Sequence, residues 1–149
     1  HNVYGPRMGM AHVIPNQLQK AWEAPEGGKV NVYSVDHRRS FCYIDDAVEM
    51  LKRIFEIDAC SGQTLNVGTE EPEVTISEVA QACIEVTGKN LTIEARPPTT
   101  GSPERRAPDM RKTKELLGYE SQISLSGGIS KTWAWYRGNI FDGGGLTAE

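Results

Sequence analysis

Apolar positions recur with two different periods along this chain of 149 residues. From His12 to Trp22, the side chains of Val13, Ile14, Leu18, Ala21 and Trp22 fall at roughly helical spacing, and the proline and glycines of "APEGGK" end the run. "VNVYSV", Val30 to Val35, is β-branched and aromatic and reads as a strand. Ile44, Ala47, Val48, Leu51, Ile54 and Phe55 then form an apolar helical stripe. Asp45 and Asp46 stand at its start, where the helix dipole favours negative charge.

Further on, "QTLNVG" reads as a short strand ended by Gly68. "TISEVAQACIEVTG" carries the capping-box pattern, Thr75 with Glu78 three residues later, and Gly88 as a stop. "LTIEAR" is a third strand candidate, Asp109 is placed to cap a helix from Met110 to Leu117, and "LSGGISKTWAWY" suggests a final helix interrupted by Gly127 and Gly128. Strands alternate with helices, so the fold class is α/β, with one domain over residues 1–138 and a flexible glycine-rich tail over 139–149. The opening "NVYGPR" is loop-like with no element before it, and a chain cut upstream is the expectation.

A composition of 38% hydrophobic and 24% charged residues fits one soluble globular domain. The net charge of -4 argues against general attraction to nucleic acid or anionic membranes, so an anion site must be local. Cys42, Cys60 and Cys83 show no metal or redox spacing and read as reduced core thiols. His1, His12 and His37 lack ligand spacing, so no metal is expected. Without an apolar run of about 20 residues or a signal-peptide pattern, a cytoplasmic location is expected.

Two basic constellations remain. In "GSPERRAPDMRKTKELLGY", Arg105 and Arg106 lie in a proline-bounded loop just before a helix start, where guanidinium forks suit a phosphate or pyrophosphate. Charge alone favours a solvated basic face continued by Arg111, Lys112 and Lys114. In "HRRSFCYIDD", Arg38 and Arg39 sit between a strand and a helix, with Phe41 and Tyr43 on one side of the extended segment. Asp45 and Asp46 fit the first turn of a helix better than an acid/base pair. Trp133, Trp135 and Tyr136 suit core packing or an interface, and Met8 and Met10 a loop or pocket wall.

"NVYGPRM", "VNVYS…RRSFCYIDDAV", "LNVGTEEPEVTISEVA" and "RRAPDMRKTKELLGYESQISLSGGI", in this order and spacing, resemble the C-terminal portion of the extended short-chain dehydrogenase/reductase family. These are the NAD-dependent nucleotide-sugar epimerases, dehydratases and decarboxylases. The resemblance implies the substrate-binding lobe of an extended Rossmann-type protein, with a UDP- or dTDP-linked sugar as its ligand. It places Asn2 near the diphosphate, Tyr33 beside the nucleobase, and Arg39 and Arg106 as the diphosphate clamp, with Arg105 a solvated neighbour.

The chain also departs from that family. It has no GxGxxG or GxxGxxG turn for the NAD pyrophosphate. None of Tyr4, Tyr33, Tyr43, Tyr119 and Tyr136 is followed by lysine four positions on. The expectation is therefore no catalytic residue and no cofactor in this chain alone, NAD belonging to the complete family enzyme. The "TLNVG" strand, which in the family joins the sheet of the cofactor domain, implies self-association or a separate cofactor-domain chain as partner. The alternative is a stand-alone nucleotide-binding or protein-interaction module without catalysis.

Overall fold

The computed structural model describes residues 1–143. Seven short strands and five α-helices alternate: β1 (Val3–Tyr4), α1 (Val13–Glu23), β2 (Lys29–Tyr33), β3 (Arg38–Arg39), β4 (Cys42–Tyr43), α2 (Ile44–Glu56), β5 (Val74–Thr75), α3 (Ile76–Thr87), β6 (Thr92–Arg96), β7 (Arg105–Arg106), α4 (Arg111–Leu117) and α5 (Leu125–Tyr136). The strands make three small sheets. β1 pairs with β4 in parallel, β2 with β6 in parallel, and β3 lies between antiparallel β5 and parallel β7.

Helix α3 is the hub, and its origin is local. Thr75 accepts from the Glu78 N–H (3.1 Å), Glu78 accepts from the Thr75 N–H (2.6 Å), and Gly88 closes the helix at a φ of 73°. One face of α3 packs Val79 and Cys83 against Ile14 and Leu18 of α1 and Ile129 and Trp133 of α5. The other packs Ile76, Ala80 and Ile84 against Val30 and Val32 of β2. A third cluster, Met50, Cys60, Met110 and Leu117, lies under α2 and α4. The three cysteines are buried and unpaired. Among the described residues no helix is long and apolar enough to cross a membrane.

Four expectations need correction. "QTLNVG" forms no ladder among the described residues, because a strand needs a neighbouring backbone and this segment meets scattered groups instead. The Val67 carbonyl accepts from the His1 ammonium (2.7 Å), and that of Asn66 accepts from the Thr113 hydroxyl (2.7 Å). Gly127 and Gly128 do not interrupt α5: Ser124 caps it by accepting from the Gly127 N–H (3.2 Å), and Gly128 is where Tyr4 seats against the helix. The stripe on α2 splits, with Ala47 buried, beside Met50 from outside the expected stripe, while Val48, Leu51 and Phe55 face outward, Phe55 at 93% exposure. Residues 139–141, expected to be flexible, belong instead to a π-helical turn, Arg137–Phe141, whose Phe141 packs on Trp22, Trp133 and Tyr136; residues 144–149 lie outside the described residues.

Asp46 is buried, at 2% exposure, and both carboxylate oxygens are engaged. It accepts from the Tyr119 hydroxyl (2.6 Å) and the Gln122 and Ile123 N–H groups (both 3.0 Å), pinning the link between α4 and α5. Burial and the Asp46 carboxylate together push the Tyr119 phenol up to about 12. Asp45 is exposed and pairs with Lys131 at 3.5 Å, so the two aspartates form no acid/base pair.

A Cβ at Gly128 would stand 2.7 Å from the Tyr4 ring and 2.9 Å from the Tyr43 ring, whereas at Gly138 it would meet nothing within 4 Å. Urea unfolding of Gly128→Ala is expected to show a loss of about 2–3 kcal/mol from overpacking. Gly138→Ala should stay within about 0.5 kcal/mol of the unaltered chain.

Candidate functional site

The three-stranded sheet brings four arginines into two cross-strand pairs. Arg38 lies opposite Arg105 and Arg39 opposite Arg106, and because side chains alternate along a strand the two pairs face opposite ways. Like charges directly opposite one another are destabilising. On one face Glu73 offsets the repulsion: its carbonyl accepts from Arg38 (3.0 Å), and its carboxylate pairs with Arg105 (Nε to Oε2, 2.8 Å). That pairing raises the Arg105 pKa and lowers that of Glu73.

The Arg39–Arg106 face opens on a cavity of about 460 Å³ and meets no carboxylate there. Among the described residues neither arginine forms a salt bridge, and no Asp or Glu lines the cavity. Burial, and then the neighbouring Arg106 charge, lower the Arg39 pKa. Lys20 enters the same cavity from α1, and burial lowers its pKa as well. Three cationic groups thus line one cavity.

The two arginines are held differently. Arg39, at 6% exposure, donates from Nη1 to the Arg38 and Glu104 carbonyls (2.7 and 3.3 Å) and from Nη2 to the Ser102 hydroxyl and Pro103 carbonyl (3.0 and 2.5 Å). It therefore fastens the 102–104 loop to β3 as well as charging the cavity. Arg106 is exposed and donates from Nη2 to Asn2 Oδ1 (2.6 Å), while Asn2 Nδ2 donates to the Ser40 carbonyl (2.9 Å). Asn2 in turn orients Arg106, whose side chain makes no other hydrogen bond among the described residues.

Backbone strain collects at this cavity. Asn2 (φ 43°) and Ser34 (φ 55°) both lie in the left-handed region and both line it. Ser34 follows β2, where its hydroxyl accepts from the Thr99 N–H (3.0 Å) and ties down the loop that forms the cavity's far rim. Tyr33, half exposed at the end of β2, offers its ring there, with the Lys20 ammonium 5.6 Å from the ring centroid.

All four residues singled out by the sequence, Asn2, Tyr33, Arg39 and Arg106, therefore line one cavity. Three wall residues were missed: Asn16, Gln17 and Lys20 of α1. The available signal was Gln17, a polar residue in the helical stripe of Ile14, Leu18 and Ala21. Asp109 stands at the start of α4, as expected: its carboxylate accepts from the Arg111 N–H (3.0 Å) and pairs with the Arg111 side chain, contacts that hold its pKa down at about 2, and it does not line the cavity. Among the described residues no cluster of His, Cys, Asp and Glu is placed to hold a metal.

Comparison with known proteins bears on this geometry. Residues 1–68 match the profile of the NAD dependent epimerase/dehydratase family. Over 143 residues the chain is 34% identical to UDP-glucuronic acid decarboxylase 2 of Arabidopsis thaliana, and over 138 residues 33% identical to UDP-glucuronic acid decarboxylase 1 of Danio rerio. The likeness is thus to the NAD dependent epimerase/dehydratase family. Those alignments take in 94% and 91% of this chain but 31% and 32% of the relatives, so the chain spans about a third of their length.

The fold of these epimerases is shared too. An epimerase of Methanothermobacter thermautotrophicus superposes with a TM-score of 0.82 at 25% identity, over 93% of this chain and 41% of that one. UDP-glucose 4-epimerase of Thermotoga maritima, solved with UDP-glucose, gives 0.80 at 26% identity, over 93% and 44%. The described α/β fold thus corresponds to part of a Rossmann-type epimerase/dehydratase.

An anion seated between Arg39 and Arg106 would relieve their repulsion and stabilise the fold. Inorganic pyrophosphate at a hundredfold excess over its Kd should add about 2.7 kcal/mol, a rise of about 5–10 °C in melting temperature. The rise should persist in Arg105→Ala and largely vanish in Arg106→Ala. Equal rises in all three chains would place the anion elsewhere.

Proposed function

We propose that the chain is the nucleotide-sugar-binding portion of an NAD-dependent epimerase/dehydratase. Its Arg39–Arg106 pair grips the substrate diphosphate, Asn2 orients Arg106, and Tyr33 lies beside the base. The observation that carries this reading is the cross-strand arginine pair facing a cavity without a carboxylate. A diphosphate supplies the missing negative charge and acceptors for the Arg106 fork, while Arg39, whose Nη donors already serve Arg38 and the 102–104 loop, contributes chiefly its charge. That several relatives are named for UDP-sugars supports the same ligand class.

In this reading the chain binds and orients the sugar nucleotide and supplies no catalytic group. Among the described residues no glycine-rich turn joins a strand to a helix, so none of them fits the NAD pyrophosphate. A dinucleotide-binding unit holds NAD, the hydride acceptor. The outward face of α2, with Val48, Leu51 and Phe55 at helical spacing, and the Leu65–Val67 segment, which joins no strand ladder among the described residues, are the surface proposed to meet that unit, or a second copy of this chain in its absence. Three buried thiols suit a reducing, cytoplasmic setting.

Calorimetric titration with UDP, dTDP and NAD tests the ligand. UDP and dTDP are expected to bind, NAD not, and Arg39→Ala and Arg106→Ala should each weaken the diphosphates by about 10–100-fold, the loss of charge-assisted hydrogen bonds. NAD binding, or diphosphate binding indifferent to both substitutions, would overturn the assignment. Light scattering tests the surface: concentration-dependent association is expected, and Phe55→Glu should abolish it. A chain that stays monomeric at high concentration would count against the α2 face.

A further inference from the structure

The loop that joins β6 to β7 forms one rim of the arginine cavity, where Thr99, Gly101, Ser102 and Pro103 line it. Residues 97–101 are exposed and outside any helix or strand, and Gly101 turns the chain at a φ of 78°. Ser102 is the member that meets the cavity's charge. Its hydroxyl accepts from Arg39 Nη2 at 3.0 Å and lies 3.3 Å from His37 Nδ1. Among the described residues it is the only hydroxyl bonded to either arginine of the cavity.

The sequence around this serine is distinctive. Ser102-Pro103 is the single Ser-Pro or Thr-Pro step in the chain, and Arg105 follows three positions after the serine. Proline presents no backbone N–H, and Arg105 is exposed, held by a surface pair with Glu73 that exchanges readily with other partners. A hydroxyl, then a residue without an N–H, then a cation, in an exposed loop, is the pattern that proline-directed protein kinases read. We propose that Ser102 is a phosphorylation site and that its phosphate occupies the Arg39–Arg106 cavity, closing it to other anions.

The step is phosphoryl transfer from ATP. The bond from Ser102 Oγ to phosphorus forms as the bond to the β–γ bridging oxygen breaks, ADP leaves, and the hydroxyl proton passes to the kinase's catalytic base. Phosphoserine brings about two negative charges and three acceptor oxygens to a place where one neutral hydroxyl stood. Arg39 already donates there, and Arg106 lines the same cavity with no carboxylate competing for it. The added charge offsets the repulsion between the two cross-strand guanidinium groups and ties the loop more firmly to β3 and β7. It also fills the ground a diphosphate needs. Phosphorylation therefore stabilises the fold and blocks the site together.

The blockade rests on the anion site proposed above, and the test keeps the two apart. The chain is incubated with ATP and a purified cyclin-dependent protein kinase, modified positions are mapped by mass spectrometry, and UDP and inorganic pyrophosphate are titrated into the modified and unmodified forms. Phosphate is expected on Ser102, absent in Pro103→Ala and incorporated at least tenfold more slowly in Arg105→Ala. The phosphorylated chain should bind both ligands at least tenfold more weakly and melt about 4 °C higher, a rise that shrinks in Arg106→Ala. No phosphate on Ser102, phosphate on Thr99 or Thr100 alone, or incorporation unchanged in both Pro103→Ala and Arg105→Ala overturns the modification site. A phosphorylated chain that binds pyrophosphate as tightly as the unmodified one overturns the blockade. An unmodified chain that binds neither ligand, with the melting rise on phosphorylation intact, removes the nucleotide-sugar reading and leaves the phosphoserine seated between the arginines.

Discussion

Two guanidinium groups held opposite one another on neighbouring strands repel, and a folded chain tolerates this only where something nearby offsets it. The sheet of β5, β3 and β7 imposes the arrangement twice. At Arg38 and Arg105 the remedy is Glu73. At Arg39 and Arg106 there are only neutral oxygens, from the 102–104 loop and from Asn2, so the positive potential stays directed into the cavity. The loop contacts and the placement of Asn2 follow from that second pair, and the anion proposed for the cavity rests on it as well.

What could be read along the chain was what depends on near neighbours. The capping box at Thr75 and Glu78 and the Gly88 stop involve residues within one turn, and α3 starts and ends where they direct. Arg105 and Arg106 were read as a basic loop before a helix, and their strand pairing with Arg38 and Arg39 was not visible locally. The segment "QTLNVG" was not, because a strand is defined by a partner backbone that the segment itself does not specify. The outward turn of Val48, Leu51 and Phe55 was equally hidden, since periodicity reports that a helix is amphipathic and not which neighbours reach its apolar side.

Buried polar groups were the hardest to foresee. Asp46 looked like an ordinary first-turn aspartate, yet residues 119–123, more than seventy positions later, enclose it and supply three donors. Gln17 interrupts the apolar stripe of α1, and nothing local shows that it is buried with an unpartnered oxygen. Their environments are assembled from distant parts of the chain, so local pattern carries little information about them. The left-handed backbone at Asn2 and Ser34 belongs with these, since neither residue announces a positive φ.

Each strand of the sheet that carries the arginines is two residues long, and its members come from residues 38–39, 74–75 and 105–106. So short a ladder has little cohesion of its own and persists because α3 and the loops around it are in place. Amide protons there exchange with solvent through small openings of the surrounding structure as well as through global unfolding. A ligand bridging Arg39 and Arg106 would act as an extra crosslink between segments nearly seventy residues apart, slowing those openings and making the region's exchange rate a measure of occupancy.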